Sequence, residues 1–263
     1  MSSSDPITQV VQNQGPPSTN VNIAGPPLTL DLRGTEFELS REELTGLPES
    51  ILLCLFPHGL LLEGYNSSED VIAVDFDPVS LGYVLDFLRD AANSPSSPSS
   101  SIHPLQSKPA IIVLREDLDY YCISPKDSAS NVTLVKHLCG DELVKRDEIF
   151  GSLKRCEGGA EQHLVDMLCA SGFTISDSWG YRALEPHKTC ISSVALARLN
   201  SDSSNPQHMA TAQKLLLFWR KPARKCWWDG VELADIGANQ EKVKVWIRRI
   251  WTLELTVIGA GKM

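Results

Sequence analysis

Apolar and polar positions alternate most clearly near the end of the chain. Val243, Val245, Ile247, Trp251, Leu253, Leu255 and Val257 fall on odd numbers. Lys242, Lys244, Arg248, Thr252 and Glu254 fall on even ones. This period of two predicts a strand with one buried face, interrupted on that face only at Arg249. Leu28, Leu30 and Leu32 alternate with Thr29, Asp31 and Arg33, and Phe37 and Leu39 follow a turn at Gly34. That pair predicts a β-hairpin. Ser40 with Glu43 makes a capping box for a short helix, and Pro48 opens a second, strongly apolar one.

The stretch from Val71 to Asp90 predicts a strand running directly into a helix. Val71–Val74 and Phe76 form an apolar run. Asp77 then occupies an N-cap position, and Pro78 follows at the first helical position, where its missing N–H is not needed. Leu81, Val84, Leu85 and Leu88 share a helical face, with Tyr83 and Phe87 as a second seam. Leu114, Leu118 and Tyr121 predict a helix in the latter part of 110–123. Further helices are expected over 131–138 and 141–155, on either side of Gly140, and over 159–171, ended by Ser171-Gly172. Residues 190–199 and 214–221 read as strands.

Residues 1–27 are rich in Ser, Pro, Gly, Gln and Asn and predict a disordered N-terminus. Residues 92–109 form a Ser/Pro-rich insertion. The expected division is a domain over 28–125 and a C-terminal α+β domain over 126–263, the latter with an antiparallel sheet. The initial residues have neither a basic start nor an apolar core, so no secretory signal is expected. No window reaches the roughly 20 apolar residues of a transmembrane helix. The seven cysteines show no paired spacing, which favours a reducing compartment, the cytoplasm among them.

The net charge of −9 is uneven. Residues 214–249 carry a local balance of +5, so the remainder sums to −14. An acidic body with one basic segment points to a protein partner and away from general nucleic-acid binding. Trp219, Trp227 and Trp228 flank Arg220-Lys-Pro-Ala-Arg-Lys225. Such a mix can stack bases or bind phosphate, or meet an acidic protein surface or anionic lipid headgroups. The strand-like flanks favour a loop between strands, with Trp in the core.

Asp75-Phe-Asp77-Pro-Val79 matches the Asp-x-Asp opening of haloacid-dehalogenase phosphatases, whose first Asp is the nucleophile and second the general acid. The repeated strand–helix units and later acidic pair of such enzymes do not follow. The pattern therefore favours Asp77 as a helix cap and Asp75 as a surface or interface contact, with no catalytic residue. His137, Cys139, Cys156, His163 and Cys169 lack the paired spacing of a zinc site, so no metal or other cofactor is expected. Ser94, Ser97 and Ser124 precede proline and are candidate phosphorylation sites.

Two resemblances add to this reading. LTLDLRGTEFELSREELTGLPESILLCLF, VIAVDFDPVSLGYVLDFLRD and IIVLREDLDYYCI, in that order over 28–123, resemble a BTB/POZ domain of the potassium-channel tetramerisation type. The insertion at 92–109 departs from that pattern. AEQHLVDMLCASGF, KPARKCWWD and VKVWIRRIWTLELTVIG, beside the BTB region, make the whole chain similar to the fungal Whi-type general stress response proteins. The resemblance implies a non-enzymatic adaptor that activates a haloacid-dehalogenase-type phosphatase at the plasma membrane and restrains target-of-rapamycin signalling in amino-acid scarcity. Tetramerisation-type BTB domains also imply a substrate adaptor of a cullin-based ubiquitin ligase, and self-association. Partner contacts are expected at Asp75, Asp77, His58 and Tyr65, which cluster at the ends of the 71–76 strand and in the loop 57–70.

Overall fold

A computed structural model describes residues 25–59, 71–93, 109–123, 131–155, 159–199, 210, 214, 221–237 and 240–258. The expected 1–27 disorder apart from residues 25–27, most of the 92–109 insertion, the strand at 214–221 apart from its ends, and Tyr65 lie outside these residues. So do Ser94, Ser97, Ser124, Cys156 and Trp219.

The fold is α+β and carries two sheets. The first contains β1 (Leu28–Leu32), β2 (Thr35–Leu39) and β3 (Val71–Val74), in the order β2-β1-β3. β1 pairs antiparallel with β2 and parallel with β3. Helices α1 (Arg41–Gly46), α2 (Glu49–Leu55) and α3 (Pro78–Asn93) accompany it. Local chemistry builds these elements as expected. Ser40 and Glu43 close the capping box of α1. Asp77 Oδ1 accepts the Val79 and Ser80 amides at 2.8 and 3.0 Å, capping α3.

The second sheet is antiparallel throughout, ordered β5-β6-β4-β8-β7. Its strands are β4 (Ala110–Ile123), β5 (Tyr181–Leu184), β6 (Cys190–Arg198), β7 (Ala223–Ile236) and β8 (Glu241–Val257). Helix α4 (Val132–Val144), a 3-10 segment (Ile149–Arg155) and α5 (Gly159–Ser171) lie between β4 and β5 in the chain.

Three sequence expectations need correction here. Residues 110–123 are not a helix but the middle strand of the second sheet, flanked by β6 and β8. The closing helix of the resembled BTB pattern is therefore absent, and all ladder partners of this segment lie in the second half of the chain. Leu114, Glu116, Leu118 and Tyr120 share one buried face, so a period of two was present. Glu116 and Tyr120, read as polar, concealed it. Residues 223–228 of the basic Trp segment are strand and not loop, since β7 begins at Ala223. Only Trp227 of its described tryptophans packs against the core, edge-on to Trp251.

The third correction concerns Gly140, which does not separate two helices. It lies inside α4, buried where a Cβ would meet the Tyr120 hydroxyl at 2.5 Å. Glycine lets α4 approach β4 at that point, which outweighs its weak helix preference.

The inner face of the second sheet holds two apolar clusters. One groups Ile112, Leu114 and Trp251 with Phe150, Leu168 and Phe173; the other groups Leu118, Val243, Val245 and Ile247 with Val135, Cys139 and Leu143. Between them Glu116 is buried. Its carboxylate accepts Arg182 Nη1 at 2.8 Å, Arg249 Nη1 at 2.9 Å and Trp251 Nε1 at 2.9 Å. Burial opposes ionisation of Glu116, yet Arg249 and Arg182 outweigh it and hold the carboxyl below its usual range. This cluster explains the lone Arg on the apolar face of β8.

The first sheet and its helices cover part of the outer face. Ile111 and Val113 of β4 and Val194 and Leu196 of β6 join one cluster with Leu30, Ile72, Leu81 and Val84. The Leu196 amide donates to the Tyr83 hydroxyl of α3 at 3.2 Å. Glu254 binds the start of α2, accepting the Glu49 and Ser50 amides at 2.7 and 2.8 Å. Helix α2 begins at Pro48 without a side-chain cap of its own, so this distant carboxylate supplies one. Thr252 and Glu254, on the polar side of the β8 pattern, are buried for this reason.

Candidate functional site: an acidic lock and an open aromatic face

The Asp-x-Asp pair sits where β3 hands over to α3. Between β1 and β2 the chain turns at Arg33 (φ 52°) and Gly34 (φ 89°), held by the Gly34 amide donating to Asp31 Oδ1 at 2.7 Å. This turn projects the Arg33 guanidinium at Asp75. Arg33 Nε donates to Asp75 Oδ1 at 2.7 Å, and Nη2 donates to Glu185 Oε2 at 2.6 Å. Nη1 stands 4.0 Å from Asp77 Oδ2. Lys188 Nζ lies 3.7 Å from Asp75. A shallow cleft of about 410 Å³, bordered by Arg33 and Asp75, opens beside this cluster.

Glu185 and Lys188 belong to the β5–β6 connection, so these ion pairs tie the first sheet to the second. The hydrogen bond from Arg33, with its charge, holds the Asp75 carboxyl below the usual carboxylate range. Asp77 is committed differently. One oxygen caps α3, and the carboxylate's charge acts on the neighbouring Tyr181. Burial and then Asp77 push the Tyr181 hydroxyl upward. A phosphoryl-transfer pair needs one carboxylate free to attack and a second free to donate a proton. Here Arg33 binds one oxygen of Asp75, and the helix start binds one oxygen of Asp77. Among the described residues no group of three or more His, Cys, Asp or Glu is arranged to hold a metal ion. What this geometry does is lock one sheet to the other.

Of the expected partner residues, the structure brings Asp75 and Asp77 together. His58 lies apart, in the exposed turn that ends α2. Asn131, part of an Asn-x-Thr match, caps α4 through the Thr133 and Leu134 amides.

A second surface unites Trp228 of the basic Trp segment with Tyr121 and Trp246, which no sequence motif linked to it. Beyond Asp117 on β4, the outer face of the second sheet meets no element among the described residues. There Tyr121 pairs with Trp246, Trp246 with Gly230, and Trp228 with Arg248 across adjacent strands. All four side-chain positions therefore lie on one face. Tyr121 is 48% exposed, Trp246 43%, Trp228 58% and Ile123 50%. Tyr121 and Trp228 stack with ring centroids 5.9 Å apart. Lys244 Nζ lies 5.1 Å over the Trp246 ring, a cation–π contact. A Cβ on Gly230 would approach the Trp246 ring to 3.4 Å, so glycine leaves that ring room to lie flat on the sheet.

The charges on this half-face are partly matched. Arg248 Nε donates to Asp119 Oδ2 at 2.9 Å, and Arg115 Nη2 donates to Asp117 at 2.7 Å. Arg224 and Lys244 add positive charge. The result is a flat apolar platform whose margin sets Arg224, Lys242, Lys244 and Arg248 against the carboxylates of Asp117, Asp119 and Glu232, a small local excess of positive charge on a chain of net charge −9. Contiguous exposed aromatics with Arg at their margin mark interaction surfaces more often than solvated ones. The alternating positions of Tyr121, Trp228 and Trp246 would have revealed this platform had 110–123 and 223–228 been read as strands.

Fold and site together describe an α+β scaffold with an exposed aromatic face. No protein-family model matches the chain. A WHI2-like protein of Schizosaccharomyces pombe is 39% identical over 272 residues, covering 91% of each chain. The chain belongs to this WHI2-like family. It is also 26% identical to a growth regulation protein of Saccharomyces cerevisiae, over 88% of this chain and 91% of that one. An uncharacterized S. pombe protein is 27% identical over 92% of this chain and 90% of its own.

Proposed function

We propose that this protein is a non-enzymatic adaptor in growth and stress regulation that binds and activates a haloacid-dehalogenase-type phosphatase. The observation that carries this reading is the aromatic–cationic half-face built on Tyr121, Trp228 and Trp246, with Arg224 and Lys244 beside it. Such a surface suits an acidic, apolar-bearing segment of a partner protein. The carboxylates that could have supported catalysis in this chain are held by Arg33 and by the start of α3. A relative whose name is growth regulation protein supports the regulatory class. The resemblance of 28–123 to a BTB/POZ domain supports adaptor work, with residues 110–123 departing from that pattern as a strand. The adaptor would act in the cytoplasm and reach the plasma membrane through its phosphatase, supporting stress-responsive transcription and restraining target-of-rapamycin signalling.

The test is a phosphoester hydrolysis assay with purified components. The protein alone should be inactive, and Asp75→Asn should not change that. Added to a haloacid-dehalogenase-type phosphatase it should bind and raise turnover. Hydrolysis by the protein alone that disappears in Asp75→Asn would overturn the adaptor reading.

A further inference from the structure

A cavity of about 310 Å³ lies between the first turns of α4 and the β5–β6 connection. Thr133, Lys136 and His137 fall at i, i+3 and i+4 on α4, so they share one side of that helix. Facing them is the run His187-Lys188-Thr189. His187 adopts φ 58°, Lys188 N–H donates to Glu185 O at 3.3 Å, and Thr189 O accepts the Tyr120 amide at 3.1 Å. Those bonds fold three consecutive residues toward the helix, and Tyr120 completes the lining.

Four basic side chains thus border one cavity, and no carboxylate lines it. Of the acids on the packed elements, Asp75 reaches the edge of this lining and the others lie outside it. Glu185 holds Arg33, Asp75 lies 3.7 Å from Lys188, and Asp141 sits further along α4. Gathering like charges opposes folding, and in a chain of net charge −9 counter-charges were abundant. Neither lysine is used in the core or in the Glu116 cluster, and Lys188 also stands 3.7 Å from Asp75. Thr133 and Thr189 bring hydroxyls to the lining, while the Tyr120 hydroxyl packs against Gly140. The start of α4 contributes its positive dipole end, although Asn131 already takes two of its amides.

We propose that this cavity is a phosphate-binding site that takes a small phosphomonoester. A tetrahedral dianion offers several acceptor oxygens, and Lys, His and hydroxyl donors converge here from two sides. A volume of 310 Å³ is at the low end for ligand pockets, enough for a phosphate on a small alcohol or sugar. The ester is either free in solution or the headgroup of a phosphorylated lipid. In the second case Val132 and Leu134, exposed on the same helix turn, would meet the bilayer. The inference stands apart from the adaptor reading and survives its failure.

The full chain is titrated by calorimetry with glycerol 3-phosphate, and separately with phosphatidylcholine vesicles with and without phosphatidylinositol 4-phosphate. Saturable one-to-one binding of the free ester assigns a soluble ligand. Binding only to the phosphoinositide vesicles assigns the lipid. In either arm Lys136→Gln with Lys188→Gln should weaken binding about tenfold or more, because charge-assisted hydrogen bonds are lost. Arg224→Gln with Lys244→Gln removes the same charge from the opposite face of the sheet and should leave affinity within about twofold, since neither side chain reaches the cavity. No saturable binding in either arm, equal weakening by both double variants, or binding of phosphopeptides alone would overturn the proposal.

Discussion

One face of the five-stranded sheet carries two different surfaces. Near Ile111 and Val113 it is covered by α3 and the first sheet, and its side chains are buried. Beyond Asp117 the same strands continue with the same alternation, yet Tyr121, Trp228 and Trp246 remain open. A strand pattern therefore says which residues share a face, and only tertiary packing says whether that face is covered. A half-face intended solely for water is normally polar. The aromatic character of the open half is what separates an interaction platform from a solvated surface.

Substitutions can sharpen this contrast, beginning beneath both halves. Glu116→Ala would leave Arg182 and Arg249 buried without their shared carboxylate and should cost about 3–5 kcal/mol, read by chemical denaturation. On the covered half, Ile111→Ala should cost about 2–5 kcal/mol, because the cavity is enclosed by the first sheet's cluster. Glu254→Ala should cost about 1–2 kcal/mol, the loss of a helix cap, and should destabilise α2 in particular. On the open half, Trp228→Ser should change stability by only about 0.5 kcal/mol. A cost as large as that of Ile111→Ala would mean the open half is buried.

An effect of similarly small size belongs to the lock. Asp75→Asn removes an exposed ion pair and should cost less than about 1 kcal/mol after solvent screening. Its sign with pH is definite. The Asp75 carboxyl is held below its unfolded value, so its contribution is fully present above the unfolded pKa. It is lost as pH falls through the usual carboxylate range toward the depressed value. Wild type and variant should therefore converge in stability in acid, as followed by denaturation at stepped pH.

Much of the molecule was readable from local pattern. The hairpin, the capping box of α1, the Asp77–Pro78 start of α3 and the alternation of β8 all depend on neighbours a few residues away. The misread elements depend on distant ones. Glu116 disguised β4 because its partners Arg182 and Arg249 lie far along the chain, and a charged residue on an apolar face reads as a break. Gly140 suggested a helix end because its reason, the Tyr120 hydroxyl, comes from another element. The site divided in the same way. Asp75 and Asp77 drew attention as a motif, but Arg33 and Glu185, which set their role, carry no signal near them. Tyr121, Trp228 and Trp246 are widely separated in sequence and become one platform only through the register of β4, β8 and β7.

The most direct measurement compares two variants in binding a haloacid-dehalogenase-type phosphatase by calorimetry, with circular dichroism to verify folding. The platform variant is Trp228→Ser with Trp246→Ser, and the lock variant is Asp75→Asn. The account predicts that the platform variant folds and loses at least about tenfold in affinity, as expected for aromatic anchors, while the lock variant binds like wild type. Undiminished binding by the folded platform variant, or loss confined to Asp75→Asn, would contradict it.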